Sequence, residues 1–349
     1  MRRVPRIALA GAAAASFALV LSACGGTSTS AGSADSKGDK GLAIAYDVGG
    51  KGDQSFNDAA FAGLEKAKSE FGYETADIEP TDGETDADKE QRLVSLAKQG
   101  HNPVIGVGYA YAPAVKAAAE KYPDTTFGIV DDSTIEAENV ADLVFSEQEA
   151  SYLAGVAAAK ATKTNTVGFV GGVDIPLIHK FGAGFAQGVK DTKPGVKVLS
   201  QYLTQTAEEG GFASPDKGKT AAEGQIEKKA DVVYAAAGLS GQGVIEAASA
   251  KKVWAIGVDS DQYQQEALSK YKDSILTSAT KDVAKAVYNL AKSVEEGKPG
   301  TGIVRGDLKS GEVGLADSNP KFKSDTAIQE AVQAAKEKII GGEIKVKTS

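Results

Sequence analysis

Residues 42–67 read LAIAYDVGGKGDQSFNDAAFAGLEKA. A short apolar run closes on Asp47, a glycine-rich loop follows, and a helical pattern opens at Ser55. A strand, a glycine turn and a helix in that order make the first unit of an α/β chain, in which helical crossovers join parallel strands. The helix is expected to run to about Glu70, with Phe61 and Leu64 on its inward face. Phe56 lies five residues before Phe61 and so falls well round from that face.

The alternation continues on both sides of this unit. A helical pattern covers 86–100, a strand 102–108, a helix 112–122, a strand 125–132 and another strand 140–146. The same order then restarts, with a helix over 149–161, a strand 165–172 and a helix 179–191. Strands at 196–203, 230–238 and 252–259 follow, with helices around 219–229 and 241–250 between them. The stretch 274–297 reads as a strand and helix crossing back to the first lobe, and an amphipathic helix over 325–344 ends the chain. These patterns predict two doubly wound lobes, one of residues 41–146 plus 275–305 and one of 147–274 plus 306–349. Hinges are expected near residues 146, 260–275 and 300–310. Such a pairing sets the carboxyl ends of two parallel sheets against each other, and those ends are where α/β sheets bind ligands.

Length and composition narrow the class. The chain has 349 residues, 42% of them hydrophobic and 25% charged, which describes a folded chain large enough for two lobes. A net charge of −8 argues against a nucleic-acid partner, which selects basic surfaces. Residues 1–23 carry MRR, then IALAGAAAASFALVL, then LSA, and are set aside as a targeting segment. Small residues before Cys24 resemble a bacterial lipoprotein signal, in which cleavage leaves that cysteine as a lipid-bearing N-terminus. The Gly/Ser-rich residues 24–40 read as a flexible tether. Cys24 is the only cysteine, so the mature chain has no disulfide framework. No later apolar run approaches the roughly 20 residues needed to span a bilayer. The chain is thus expected outside the cytoplasm, held to the cell membrane by its end.

Candidate site residues cluster at strand ends. Phe56 and Asn57 open a helix just past one, where a ligand would lie, although a core contact and a helix cap are the ordinary readings. Asp47 and Asp131 end strands, where aspartates usually cap or turn, and where two carboxylates also accept hydrogen bonds from a ligand. Asp132 competes for the second role, and a general acid/base pair is the catalytic alternative. Asp259 and Lys281 end two further strands. Gly238 lies in AAAGLSGQG, whose G-x-x-G-x-G spacing differs from the dinucleotide fingerprint, so no cofactor is expected. His101 and His179 are the only histidines and stand far apart, which argues against a metal centre or a Ser/His triad. The acidic run 81–90 does not follow the calcium-loop pattern.

Several stretches together resemble one family: YDVGGKGDQSFNDAAFAGL, YPDTTFGIVDD, VGFVGGVDIPLIHKFGAGFAQGV, SPDKGKTAA and AIGVDSDQY. They are similar to the basic membrane protein family, the PnrA-like substrate-binding lipoproteins of ABC transporters, over about residues 42–297. The resemblance implies a type I periplasmic binding protein fold, with two Rossmann-like lobes joined by three crossings and the ligand in the cleft. It implies a purine nucleoside as ligand, with Phe56 stacked on the base and Asn57, Asp47 and Asp131 hydrogen-bonded to it. Asp259 and Lys281 would take the ribose, Gly238 would bring its backbone against the sugar, and Phe212 would complete the aromatic sandwich, with Phe181 as the alternative ring. Permease subunits are the implied partners, and a monomer is expected. Rival readings are an extracytoplasmic nucleoside-acting enzyme using Asp47 and Asp131, a binding protein for another small solute, and a repressor-type sensor lobe, which the export signal opposes.

Overall fold

The computed structural model of the chain describes residues 40–349. The targeting segment, Cys24 and the tether up to residue 39 lie outside the described residues.

The first sheet has six strands in the order β11-β5-β4-β3-β1-β2. These are β1 (Lys40–Ala45), β2 (Glu74–Ile78), β3 (Val104–Gly106), β4 (Phe127–Val130), β5 (Val140–Phe145) and β11 (Gly302–Gly306). All of its neighbouring pairs run parallel. The second sheet has the order β12-β10-β9-β8-β6-β7. It comprises β6 (Thr166–Val173), β7 (Lys197–Thr204), β8 (Val232–Ala236), β9 (Trp254–Asp259), β10 (Ile275–Lys281) and β12 (Val313–Leu315). Only β12 is antiparallel to its neighbour. The fold is that of the type I periplasmic binding proteins, with two Rossmann-like lobes.

The first helix shows how sequence sets a strand end against a helix start. α1 (Phe56–Phe71) begins where the Asp53 carboxylate accepts hydrogen bonds from the backbone N–H groups of Ser55, Phe56, Asn57 and Asp58, at 2.8–3.2 Å. One side chain thereby satisfies donors that a helix N-terminus otherwise leaves open, and its charge suits the positive end of the helix dipole. Ser55, the expected start, makes no side-chain cap. Gly72 ends the helix at φ 72°, a left-handed turn that glycine adopts without steric cost. The buried face is Asn57, Ala60, Gly63, Leu64 and Ala67. Phe61 is not on it: its ring is half-buried, with the Lys51 ammonium 4.9 Å from the centroid.

Assignment of strands to lobes differs from the expectation at one place. Residues 275–281 belong to the second sheet, hydrogen-bonded between β9 and β12, and not to the first lobe. The helix after them, α8 (Val283–Glu295), returns to pack on α1, where Gly63 faces Ala284 and Val287. The chain therefore crosses between lobes near Ser146, Asp282 and Asp307, so the middle hinge falls later than 260–275. Backbone bonds tie the crossings together, Ser146 N–H to Gly306 O at 2.8 Å and Asp282 N–H to Glu312 O at 2.8 Å. The Glu149 carboxylate adds a brace by accepting from Leu308 N–H at 2.9 Å.

In the second lobe α4 (Glu147–Ala161) and α5 (Pro176–Thr192) approach closely through glycines. A Cβ on Gly188 would lie 2.1 Å from the Tyr152 carbonyl oxygen, and one on Gly184 2.2 Å from that of Gln148. Both obstacles are backbone, so nothing flexible can yield. Gly188→Ala is expected to cost about 1–3 kcal/mol of stability through overpacking. Urea unfolding checks this, and an unchanged midpoint would contradict the contact.

Candidate functional site

The strand ends of the two sheets enclose a cleft with about 530 Å³ of unfilled space, partly open to solvent. The first lobe contributes Asp47 after β1, Asp53, Phe56 and Asn57 at the start of α1, Tyr109 after β3 and Asp131 after β4. The second contributes Phe181 from α5, Phe212 from the loop after β7, Gly238 after β8, Asp259 at the end of β9 and Lys281 at the end of β10. All eight residues expected to bind ligand line this space: Asp47, Phe56, Asn57, Asp131, Phe212, Gly238, Asp259 and Lys281.

Lys281 is the electrostatic centre. Its ammonium lies 2.6 Å from Asp131 Oδ2 in the first lobe and 3.5 Å from Asp259 Oδ1 in its own lobe. It also sits 4.5 Å from the centroid of the Phe56 ring. Only 4% of its side chain is exposed, against 6% and 8% for the two carboxylates. Burial works against the ammonium, yet Asp131, Asp259 and Glu147 together hold its pKa above the ordinary lysine value, so it stays charged. Glu147 is buried at the start of α4, with Lys180 3.3 Å away, and burial and then Asp131 push its carboxyl up.

Backbone geometry aims the carboxylates. Asp131 has φ 70° and Asp259 has φ 61°, left-handed values that cost a non-glycine residue of order 1–3 kcal/mol. Gly238 has φ 53° and lies under Phe212. The left-handed turns at Asp131 and Asp259 direct each side chain past its strand end. Asp131 Oδ1 and Asp259 Oδ1 are both buried without a hydrogen-bond partner. Asp132 points elsewhere, accepting from the Thr134 N–H at 2.8 Å and its hydroxyl at 2.7 Å.

Asn57 is committed more fully than its position in the sequence suggests. Its Oδ1 accepts from Asp47 N–H at 3.0 Å, and its Nδ2 lies 3.4 Å from Asp47 O, so it braces the end of β1. One amide N–H remains for a ligand. Phe181 is only 4% exposed and belongs to the core, whereas Phe212 is half-buried over Gly172. Both rings reach the cleft.

Asp53 and Tyr109 are cleft residues that sequence reasoning missed. Tyr109 stands three residues past the end of β3, so the strand-end rule would have marked it. Asp53 precedes the helix start by three residues and acts as its capping acid, a signal hidden by the more obvious Ser55. The histidines serve elsewhere: His101 Nδ1 is 3.1 Å from Gly41 O, and His179 Nε2 is 2.6 Å from Asp174. Among the described residues no group of three or more His, Cys, Asp or Glu is placed to hold a metal, and no helix is long and apolar enough to cross a membrane.

Two lobes of this fold, joined at three crossings and closed on a walled cleft at their strand ends, define a solute-binding protein. Comparison with known proteins gives the family. The model of the Bmp family, described as ABC transporter substrate-binding protein PnrA-like, matches residues 41–349, and the chain belongs to it. The chain is 37% identical to the ABC transporter nucleoside-binding protein BmpA of Lactococcus lactis subsp. cremoris, over 97% of this chain and 98% of that one. It is 36% identical to an uncharacterized lipoprotein of Pyrococcus abyssi, over 79% of this chain and 69% of that one. A solved ABC transporter solute-binding protein from Aeropyrum pernix K1 superposes with a TM-score of 0.76 at 28% identity, covering 89% of this chain and 94% of that one. The protein is thus an ABC transporter substrate-binding protein, a family that implies a small-molecule ligand and permease partners.

Asp47 sets a pH dependence. Burial pushes its carboxyl up to about 7 from 3.8, against the hydrogen bond from Val48 N–H and with Asp131 adding to the rise. The folded chain therefore retains a proton that the unfolded chain releases, and stability from this group is lost as pH rises from about 4 to about 7. Asp47→Asn should remove part of that slope. Urea midpoints at acid and neutral pH check it, the variant gaining on the parent only at neutral pH. An equal difference at both pH values would contradict the shift.

Proposed function

We propose that the cleft binds a purine nucleoside and that the protein delivers it, unaltered, to the permease of an ABC importer. The observation that carries this reading is a pair of buried carboxylate oxygens that accept no hydrogen bond, Asp131 Oδ1 and Asp259 Oδ1, one from each lobe, the second with only the Lys281 ammonium 3.5 Å away, in a cleft that also holds Phe56 and Phe212. A buried acceptor without a donor costs about 1–3 kcal/mol, which a ligand rich in N–H and O–H groups relieves. A nucleoside has both kinds of donor, N–H on a flat base and O–H on the sugar.

In this reading Phe56 and Phe212 flank the base, and Asp47, Asp131 and the free amide N–H of Asn57 hydrogen-bond it. Asp259 and Lys281 take the sugar hydroxyls, with the backbone of Gly238 against the sugar. The name of the Lactococcus lactis relative, a nucleoside-binding protein, supports the ligand class. The name of the Pyrococcus abyssi relative, a lipoprotein, supports anchoring through lipid on Cys24 at the outer face of the cell membrane. The chain acts as a monomer.

Calorimetric titration with a panel of nucleosides, free bases and ribose tests the ligand. One nucleoside per protein is expected, recovered intact by chromatography, with free base and ribose each binding far more weakly. Phe56→Ala is expected to remove about 1–3 kcal/mol, the worth of one stacked base, and Asp259→Ala a comparable amount. No heat with any nucleoside would overturn the reading, and released base would favour a hydrolase. For the anchor, Cys24→Ser should move the protein from the membrane to the soluble fraction; continued membrane association would refute lipid attachment at that residue.

A further inference from the structure

We propose that the turn 52–55 of the first lobe and Gln242, Ser260 and Gln262 of the second form a clasp that sets how readily the lobes close, with Ser55 orienting the Asp259 carboxylate as they meet. The affinity arm of the test rests on the nucleoside reading; the clasp itself does not.

The turn is built to face outward with its carbonyls. Three of its four N–H groups are consumed within the first lobe: Gly52 and Gln54 donate to Asp58 at 2.7 and 2.9 Å, and Ser55 donates to Asp53 at 2.9 Å. Gly52 at φ 93° and Gln54 at φ 57° hold the left-handed bends that turn the carbonyl groups the other way. Those carbonyls then meet the second lobe. Gly52 O accepts from Gln242 Nε2 at 2.9 Å, Gln54 O from Gln262 Nε2 at 3.0 Å, and Ser55 O from Ser260 Oγ at 2.7 Å. Ser55 adds its hydroxyl, which donates to Asp259 Oδ2 at 2.8 Å.

The second-lobe side is equally fixed. Gln262 is 1% exposed, its Oε1 accepts from Val258 N–H at 3.2 Å and its own N–H donates to the Ser278 hydroxyl at 3.1 Å. Its amide is therefore held with Nε2 aimed at the other lobe. None of Gln242, Ser260 or Gln262 lines the ligand cleft, so their bonds act on the lobes and not on the ligand. Separating the lobes exchanges each of these bonds for water. Net hydrogen-bond strengths make each worth about a 2- to 10-fold change in the ratio of closed to open forms. A ligand that binds the closed form loses apparent affinity in proportion to the closed fraction.

Ser55 links the clasp to the site. With Oδ2 taken by Ser55, the Asp259 carboxylate turns Oδ1, which accepts no hydrogen bond and lies 3.5 Å from the Lys281 ammonium, to the cleft. A first-lobe hydroxyl thus orients a second-lobe carboxylate, and only when the lobes are together.

The test uses the full chain carrying Cys24→Ser, with a dye pair on Lys116→Cys and Lys228→Cys, two exposed positions in different lobes. Single-molecule energy transfer reports the closed fraction, first with no nucleoside added and then across a titration. Gln242→Ala and Ser260→Ala, made singly and together, should each lower the closed fraction and weaken binding about 2- to 10-fold. The loss should appear in the dissociation rate, with the ratio of affinities for two nucleosides unchanged. Energy-transfer distributions without nucleoside that match the parent in both single variants would overturn the clasp, as would a changed ratio. If no nucleoside binds, the proposed function fails, while the nucleoside-free distributions still decide the clasp.

Discussion

One ammonium group stands between two lobes. Lys281 leaves the second sheet at its carboxyl edge and places its charge 2.6 Å from a carboxylate of the first lobe and 3.5 Å from one of its own. Ions this deeply buried are tolerated only when paired, and removing one partner of such a set typically costs about 3–5 kcal/mol. The constraint explains the local geometry. Asp131 and Asp259 accept left-handed backbone values, a cost met by the pairing. It also explains the register of the lobes, since the pair exists only while the two sheet edges face each other. One oxygen on each of the two carboxylates is left without a hydrogen bond.

Around that centre the chain divides its work by element. Strand ends supply the groups that face the cleft, and helix starts fix them: Asp53 caps α1, and Asn57 within α1 braces the end of β1. The glycine contacts between α4 and α5 keep the second lobe rigid behind Phe181. A substrate-binding protein needs such rigid lobes, because closure transmits ligand occupancy to a permease only if each lobe moves as a body.

Most of this architecture was legible in the sequence because buried parallel strands read as continuous apolar runs, as at 42–47 and 252–259. β2 was not, since ETADI is a half-exposed edge strand with little apolar content. β11 and β12 escaped for a related reason, being short edges, the first mostly exposed. The lobe of residues 275–281 was misassigned because pairing partner, unlike strand propensity, is not written locally: "ILTSATK" would suit either sheet. In the site, Asp47, Asp131, Asp259 and Lys281 were legible as strand-end charges. Ser55, Gln262 and Ser260 were not, because a hydroxyl or amide reaching across to another lobe leaves no periodic trace.

On the nucleoside reading, a ligand's donors complete the two half-satisfied carboxylates at the lobe junction. Diffraction from the chain crystallised with a purine nucleoside tests it most directly. Asp131 Oδ1 and Asp259 Oδ1 are each expected within hydrogen-bonding distance of a ligand N–H or O–H, with the base against Phe56. A nucleoside seated elsewhere, with both oxygens still facing only protein, would contradict it.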